Sequence, residues 1–390
     1  MEQKLFELLD AAYEEMVEIR RHLHQYPELS FEEEETPAYI ARYHETLGHE
    51  VKKNIGNRGV TARLEGGKPG PVIALRADFD ALPIHEETGL PFQSKREGVM
   101  HACGHDGHTA TLLVLAKALN TIQADINGTI VFIHQHAEEY APGGAVDMIE
   151  DGCLHDVDAI FGTHLWATVP YGVMQYKEGP MMAAADRFEI TINGKGGHGA
   201  TPHLTKDAIV IGSQLVTTIQ QLVSRRIDPQ ESAVVSVGSF DATNAFNVIA
   251  DQATLIGTVR TFNDEVRDTI EEELERITKA TCESANADAD FQYIRGYPAV
   301  VNHEAEANFL ASCASQVPGI VETEYMKPQM TGEDFSYYLQ HVKGSYCFTG
   351  AQNPDWEETY PHHHPKFDID ERAMLLAAKT LGKAVLDYKN

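Results

Sequence analysis

The chain has 390 residues, 43% of them apolar, which is enough to fill one large core or two, and its 59 acidic against 31 basic residues leave a formal net charge of −28. That balance argues against nucleic acid and anionic membrane surfaces as partners, because both need a basic footprint, and it requires specific arginines wherever an anionic substrate is held. The five cysteines, at 103, 153, 282, 313 and 347, are scattered and odd in number, so they form no disulfide framework and point to a reducing, cytoplasmic setting.

The N-terminal stretch "MEQKLFELLDAAYEEMVEIRRHLHQYPELS" places Phe6, Leu9, Tyr13, Met16 and Leu23 at helical spacing and has no basic segment followed by an apolar core. It reads as an amphipathic helix and not as a signal peptide. No apolar run is long enough to span a bilayer. The acidic run "FEEEETP" reads as a solvated helix start. Three short apolar runs follow, "PVIALRADFDALP", "GTIVFIHQHAEE" and "VDAIFGTHLW", with the helical "TATLLVLAKALN" between the first two. Strands alternating with helices predict an α/β domain with a largely parallel sheet. All three runs turn from apolar to Asp, Glu or His at their carboxyl ends, which is where open α/β sheets place their ligands.

Near residue 185 the pattern changes. "DRFEITING" alternates as a half-exposed strand does, a helix is predicted from about Lys206 to Arg226, and "SAVVSVGSF" and "QATLIGTVRTF" read as strands. The helix "DEVRDTIEEELERITKATCES" and the strand "ADFQYIRGYP" complete a β-α-β-β-α-β order, which is ferredoxin-like. The expected organisation is an inserted α+β domain over 186–296, with 1–185 and 297–390 forming the first domain.

"HACGHDGH" (101–108) sets Cys103 and His105 two apart just before a helix, where the dipole favours the thiolate that binds metal. The competing reading is a buried cysteine beside surface histidines. Glu138 and Glu139 close the second strand. Adjacent carboxylates in a strand point to opposite sides unless the backbone bends, so the pair could equally be solvated. His164, at the third strand end, could be a core histidine. "YPHHHPKFDIDE" offers three consecutive histidines, of which at most two can converge on one point. Together these are ligand types suited to zinc and related divalent ions, with one carboxylate to spare for general-base work on an amide.

The motifs "RADFDALP", "HACGHDGHT", "HAEE", "GTHLW", "GKGGHGATP", "FNVIADQATLIGTVRTF", "GEDF" and "HHHPKF" occur in that order. Taken together they resemble the M20 family of metallo-amidohydrolases, in its branch of N-acyl-amino-acid hydrolases. That branch includes hippurate hydrolases, indole-acetyl-amino-acid hydrolases, and N-acetyl-diaminopimelate and N-acetyl-cysteine deacetylases. The resemblance spans essentially the whole chain. It implies a mixed-sheet, metallo-exopeptidase-like catalytic domain interrupted by a smaller ferredoxin-like lid. In the wider family such lids often pair edge strands into dimers or higher homo-oligomers.

By position, the resemblance implies that Cys103, His105, Glu139, His164 and His363 hold two divalent ions. Zinc suits that set, with manganese, cobalt and nickel as the other candidates. His363 is chosen among the three histidines because the family ligand lies two residues before the proline, here Pro365. Glu138 matches the catalytic base and His198 the oxyanion-stabilising residue. Asn247 and Arg260 match residues that hold the substrate carboxylate, a role suited to arginine's planar fork. Asp78, Asp80 and Asp106 are expected to support the site, Asp106 by orienting an imidazole.

Two departures bear on specificity: His136 stands where relatives usually carry proline before "AEE", and Thr331 replaces a glycine in "TGEDF". The implied reaction is hydrolysis of an N-acyl amino acid, a small-molecule substrate, to a carboxylic acid and a free amino acid. A dipeptidase or aminopeptidase on the same centre is the alternative enzyme, and a non-catalytic metal-dependent binding protein the alternative class. A cysteine hydrolase is the weakest reading, because the sequence suggests no His-Asn/Asp relay around Cys103; it should survive chelation and be killed by thiol alkylation.

Overall fold

A computed structural model describes residues 1–389. They divide into two compact units. One comprises Met1–Met181, Val300–Lys327 and the chain from Asp334 onward, and the other Met182–Ala299 with Pro328–Glu333.

In the first unit, β1 (Glu50–Ile55), β2 (Gly59–Glu65), β3 (Lys68–Asp78), β4 (Asn127–Gln135), β5 (Ala159–Pro170) and β6 (Val173–Tyr176) join two later strands, Glu322–Tyr325 and Lys343–Gln352. The eight form one mixed sheet in the order β1–β2–β4–β3–β5, then Lys343–Gln352, β6 and Glu322–Tyr325. Its centre, from β4 through β3 and β5 to Lys343–Gln352, is parallel. Antiparallel pairs flank that centre: β1 with β2, β2 with β4, and β6 with Lys343–Gln352. The β1–β2 link is too short for a crossover helix, so that pair must be antiparallel.

The helices of this unit include α1 (Glu2–Ala11), α2 (Tyr13–Gln25), α3 (Glu35–Thr46) and α4 (His105–Thr121). The N-terminal amphipathic stretch is thus two helices and not one, broken at Ala12, where φ is −98° and ψ 8°. α4 packs on β3, with α2 and the C-terminal helix Arg372–Asp387 against it. Leu112, Leu113, Val114, Leu115 and Leu119 are each at most 1% exposed. At about 2 kcal/mol per fully buried side chain, packing and not helix propensity holds α4 in place. Its first turn, carrying His105, is therefore rigidly placed against the carboxyl ends of β3 and β5.

The second unit is a four-stranded antiparallel sheet in the order Ala233–Asp241, Gln252–Thr261, Ala184–Asn193, Asp288–Ile294. Helices Ala208–Arg226 and Asp264–Ser284 pack on it and on each other. Chain order is β-α-β-β-α-β. Phe188, Ile190 and Ile192 alternate into its core with Ala253, Leu255 and Val259. The Asp207 carboxylate accepts the Ile209 and Val210 N–H groups at the start of the first helix, and Asn263 accepts that of Val266 at the start of the second. No helix among the described residues is long and apolar enough to cross a membrane.

Candidate metal centre

The carboxyl ends of β3, β4 and β5 and the first turn of α4 meet around His105. Gly104, with φ +93°, turns the chain into α4, a conformation glycine adopts without strain. His105 Nδ1 lies 3.0 Å from the Asp80 carbonyl oxygen and 3.1 Å from Asp80 Oδ1. Both are acceptors, so Nδ1 carries a proton and Nε2 is the nitrogen that faces the site, with a lone pair to offer whenever the ring is neutral. Nε2 is 3.8 Å from Glu138 Oε2 and 3.8 Å from Glu139 Oε1.

Both glutamates reach the same imidazole because the strand end bends. Ala137 sits at φ +51°, in the left-handed region, immediately before them. The N–H of Glu139 then donates to Asp80 Oδ2 at 2.9 Å, and the Ser30 hydroxyl donates to the same oxygen at 2.7 Å.

Cys103, His105 and Glu139 bring one ligand atom each within 4.8 Å of one another, and so do Cys103, His164 and His362. The two triads share the cysteine. His164 turns Nδ1 to the Leu165 carbonyl at 3.1 Å and Nε2 to Cys103 Sγ at 3.5 Å. His363, with φ +64°, places Nε2 3.2 Å from Glu139 Oε2. His362, which the sequence did not single out, lies with Nδ1 3.7 Å from Cys103 Sγ, while its Nε2 accepts the Ala167 N–H at 3.2 Å. In neutral His362 the proton is then on Nδ1, so this ring donates toward the sulfur. His108, also missed, is fully engaged: Nδ1 donates to Asp78 Oδ1 at 2.6 Å and Nε2 accepts the Leu165 N–H at 2.9 Å. It ties β3 to β5 and has no lone pair to offer an ion.

The supporting aspartates divide differently from the expectation. Asp106 does not orient His105. Its carboxylate accepts from Arg20 Nε at 3.0 Å and lies 2.8 Å from His24 Nδ1, and these cations hold it well below the usual carboxylate range despite burial. Sequence adjacency to His105 is misleading here, because consecutive helical side chains do not face each other. Asp80 is the residue on His105. Asp78 is bridged to Arg76 Nη1 at 2.6 Å as well as to His108, and is likewise held low. His136 is buried, and none of its ring atoms belongs to either ligand triad.

The charge of this pocket favours a cation. Burial lowers the His105 pKa, but Asp78, Asp80 and Glu139 outweigh it and push the ring up to about 10. Burial, then Glu139 and Glu138, push the Cys103 thiol well above its ordinary value. Fully buried His105 Nε2 and Glu139 Oε1 have no hydrogen-bond partner. Such atoms are costly unless something meets them. A ring nitrogen, a carboxylate oxygen and a sulfur converging amid this excess of negative charge fit a divalent ion, which would take the place of the protons that the carboxylates otherwise hold on His105 and Cys103. An open cavity of about 380 Å³ lined by Leu90, Trp356, Tyr360 and Lys366, among others, includes none of these residues.

In the second unit, His198 is exposed and its Nδ1 accepts the Ala200 N–H at 3.0 Å. It pairs with Val248 across a short two-stranded ladder, and the Gly199 N–H donates to the Asn247 carbonyl at 2.8 Å, so His198 and Asn247 are neighbours. Arg260 lies opposite Ala185 and Val234 in the larger sheet. Its guanidinium is half-buried and donates to the Thr258 hydroxyl and to the Val259 carbonyl, the latter at 3.0 Å. Thr331 is exposed and its carbonyl accepts the Ala183 N–H.

Residues 74–387 match the model of Peptidase family M20/M25/M40. The chain is 58% identical over 388 residues to YhaA of Bacillus subtilis (strain 168), covering 100% of this chain and 98% of that protein. It is 47% identical over 302 residues to the N-acyl-L-amino acid amidohydrolase of Geobacillus stearothermophilus, covering 77% and 82%. Its fold superposes with a TM-score of 0.84 on the crystal structure of the Bacillus subtilis YXEP protein, a dinuclear metal binding peptidase from the M20 family, at 38% identity over 97% of this chain and 98% of that one.

Proposed function

Because the chain belongs to Peptidase family M20/M25/M40, in its branch of N-acyl-amino-acid amidohydrolases and deacetylases, we propose that it hydrolyses the amide bond of N-acyl amino acids to a carboxylic acid and a free amino acid. The observation that carries this reading is the turn at Ala137, which leaves Glu138 and Glu139 each 3.8 Å from one imidazole nitrogen. One carboxylate serves the metals and its neighbour is left for proton transfer.

In this reading Cys103, His105, Glu139, His164 and His363 hold two divalent ions. Bound there, such ions lower the pKa of water toward neutrality and polarise an amide carbonyl. Glu138 takes the proton from the attacking water and returns it to the leaving amine, as a general base and then a general acid. Asp80 holds His105 in the tautomer that presents Nε2. His198 donates to the developing oxyanion, and Arg260 and Asn247 bind the substrate's carboxylate, drawing an anion toward a chain of net charge −28. Cys103, with its thiol pushed up by burial and two carboxylates, is a poor nucleophile without a cation beside it.

The test is release of free amino acid from a panel of N-acyl amino acids by the protein as isolated, after chelation, and with Zn²⁺ or Mn²⁺ restored, alongside Glu138→Gln. Activity that is lost on chelation, recovered with metal and absent in the variant supports the proposal. Turnover of dipeptides with none of N-acyl amino acids transfers the site to a peptidase. Full activity after chelation, abolished by thiol alkylation, refutes the metal chemistry.

A further inference from the structure

The acidic run 31–37 is not uniformly solvated: Glu33 is 1% exposed, while Glu32, Glu34 and Glu35 face water. Its position is set by Glu28, whose carboxylate accepts the N–H groups of Glu34, Glu35 and Thr36 at 3.0, 3.1 and 2.8 Å and so ties down the start of α3. The Glu28 carbonyl in turn accepts the Ala81 N–H at 2.8 Å, next to Asp80. The segment bearing Glu33 is thus anchored to the same strand end that carries His105's partner.

From that anchor Glu33 Oε1 reaches the Ala137 N–H at 2.9 Å. Ala137 is the residue in the left-handed region, and Glu138 and Glu139 follow it. On the far side of Glu138, the Glu139 N–H is taken by Asp80. The two peptide N–H groups that bracket Glu138 are therefore each held by a buried carboxylate from outside the strand. An alanine adopts positive φ only where its surroundings impose it, and a carboxylate on its own N–H is a direct means of imposing it. Glu33 Oε2 has no hydrogen-bond partner, and Arg58, whose Nη1 donates to the Glu33 carbonyl, brings Nε to 4.0 Å from that oxygen. That partly exposed cation meets the carboxyl only at long range and does not offset its burial, whereas the Ala137 N–H is met at hydrogen-bond distance.

We propose that Glu33 is a positioning residue for the hydrolytic site: by accepting the Ala137 N–H it holds the left-handed turn that brings Glu138 and Glu139 to one side. The proposal rests on the metal-dependent hydrolase reading for the roles of those two glutamates. Burial and the nearby Asp80 push the Glu33 carboxyl up to about 8, in keeping with an acceptor role that a neutral amide can also fill.

The experiment compares Glu33→Gln, Glu33→Leu and the double variant Glu33→Leu/Ala137→Gly in the full-length, metal-loaded chain. Affinity for Zn²⁺ is read by competition with a chromophoric chelator, kcat and KM are measured on the best N-acyl substrate, and the melting temperature is taken for each. Losing a contact that orients metal ligands costs on the order of 10–100-fold in metal affinity or activity, so Glu33→Leu should fall by that much in Zn²⁺ affinity and kcat with KM little changed. Glu33→Gln keeps an acceptor and should stay close to the wild type. Glycine adopts φ +51° without help, so Ala137→Gly should restore part of what Glu33→Leu loses.

Wild-type Zn²⁺ affinity and kcat in Glu33→Leu overturn the proposal. So does equal impairment of Gln and Leu variants, which assigns the effect to charge, and so does a double variant no better than Glu33→Leu. Should Glu33→Leu not fold, the double variant and Glu33→Gln decide on the same readouts. If the wild type hydrolyses no N-acyl amino acid, the Zn²⁺ affinities still test Glu33, and the two readings fail separately.

Discussion

Asp80 Oδ1 stands 3.1 Å from His105 Nδ1, and the opposite nitrogen of that ring is the one with no partner. The two facts are one. A neutral imidazole that donates from Nδ1 must present a lone pair at Nε2, so the aspartate chooses which atom faces the site. The same carboxylate uses its other oxygen to hold the Glu139 N–H. Asp80→Asn introduces an amide that can donate where Asp80 only accepts, and so loosens both contacts. Metal affinity, measured by chelator competition, is expected to fall about 10–100-fold, with kcat falling in step. An Asp80→Asn protein with wild-type affinity would remove the aspartate from the site.

Glu138 and Glu139 are adjacent in sequence and equidistant from His105 Nε2, yet the proposed roles differ, and substitution separates them. Glu138→Gln should keep its full metal complement while kcat drops about 10²–10⁴-fold, the usual contribution of a general acid–base group. Glu139→Gln should lose metal, and activity with it. The check is metal content per chain after gel filtration, read beside kcat. Loss of metal in both variants, or in neither, contradicts the division.

The legible part of the site was the part written at strand ends. Apolar runs that close on Asp80, Glu138–Glu139 and His164 announce a shared location because parallel strands deliver their carboxyl ends to one edge. The antiparallel second sheet was legible for a similar reason, since alternating Phe188, Ile190 and Ile192 can bury only one face. What stayed hidden depends on contacts across the chain. Asp106 looks like His105's partner by adjacency, but helix geometry sends it to Arg20 and His24, and Asp80 arrives from 25 residues away. The bend at Ala137 carries no glycine or asparagine to mark it. Glu33 is concealed in a run of four glutamates, where composition argues for water and only the fold shows which one turns inward.

The histidine triplet gives a comparison in which three neighbours should behave differently. His363 meets Glu139, His362 faces Cys103 with its other nitrogen occupied by the Ala167 N–H, and half-buried His364 accepts the Lys366 N–H and stacks on Tyr360, touching none of the ligand groups. His363→Ala is expected to lower metal content per chain. His362→Ala should retain metal and lose activity by roughly an outer-contact amount, about 10-fold or more, because it removes a donor beside the sulfur. His364→Ala should be close to neutral. Metal analysis of the three variants side by side decides the assignment, and retention by His363→Ala with loss in His362→Ala would reverse it.

Arg20 has no exposed surface and is bound by three carboxylates: Asp106 at 3.0 Å, Asp368 at 2.7 Å and Glu371 at 3.1 Å. Removing the cation leaves buried Asp106 with only His24 and Gly107 to meet it. Breaking a buried ion pair from one side costs about 3–5 kcal/mol, so Arg20→Met should lower the unfolding free energy in urea by that order. Its effect on metal affinity should be small, since Asp106 does not touch His105. A loss of affinity as large as that of Asp80→Asn would show that this network steers the site after all.

A second cluster should govern acid stability. His44 lies between His49 and His134, with Nδ1 3.0 Å from His49 Nδ1 and Nε2 2.9 Å from His134 Nε2, and His49 stacks on Phe132. All three are buried. Burial, with mutual repulsion, lowers His44 to about 2; burial lowers His134 to about 3 and His49 below its ordinary value. These groups stay neutral in the folded chain and protonate in the unfolded one, where the pKa is near 6.5. Their cost is absent above pH 6.5 and grows as pH falls through 6.5 toward 3, because the unfolded state gains protons the folded state refuses. At pH 5 each such histidine disfavours folding by up to about 2 kcal/mol. Urea midpoints at pH 7.5, 6 and 5 should fall steadily with acidity, and His134→Phe should flatten that fall while lowering the midpoint at pH 7.5 through the contact it deletes. An unchanged pH slope in the variant would place the acid sensitivity elsewhere, with the carboxylates that Arg20 and Arg76 hold as the next groups to examine.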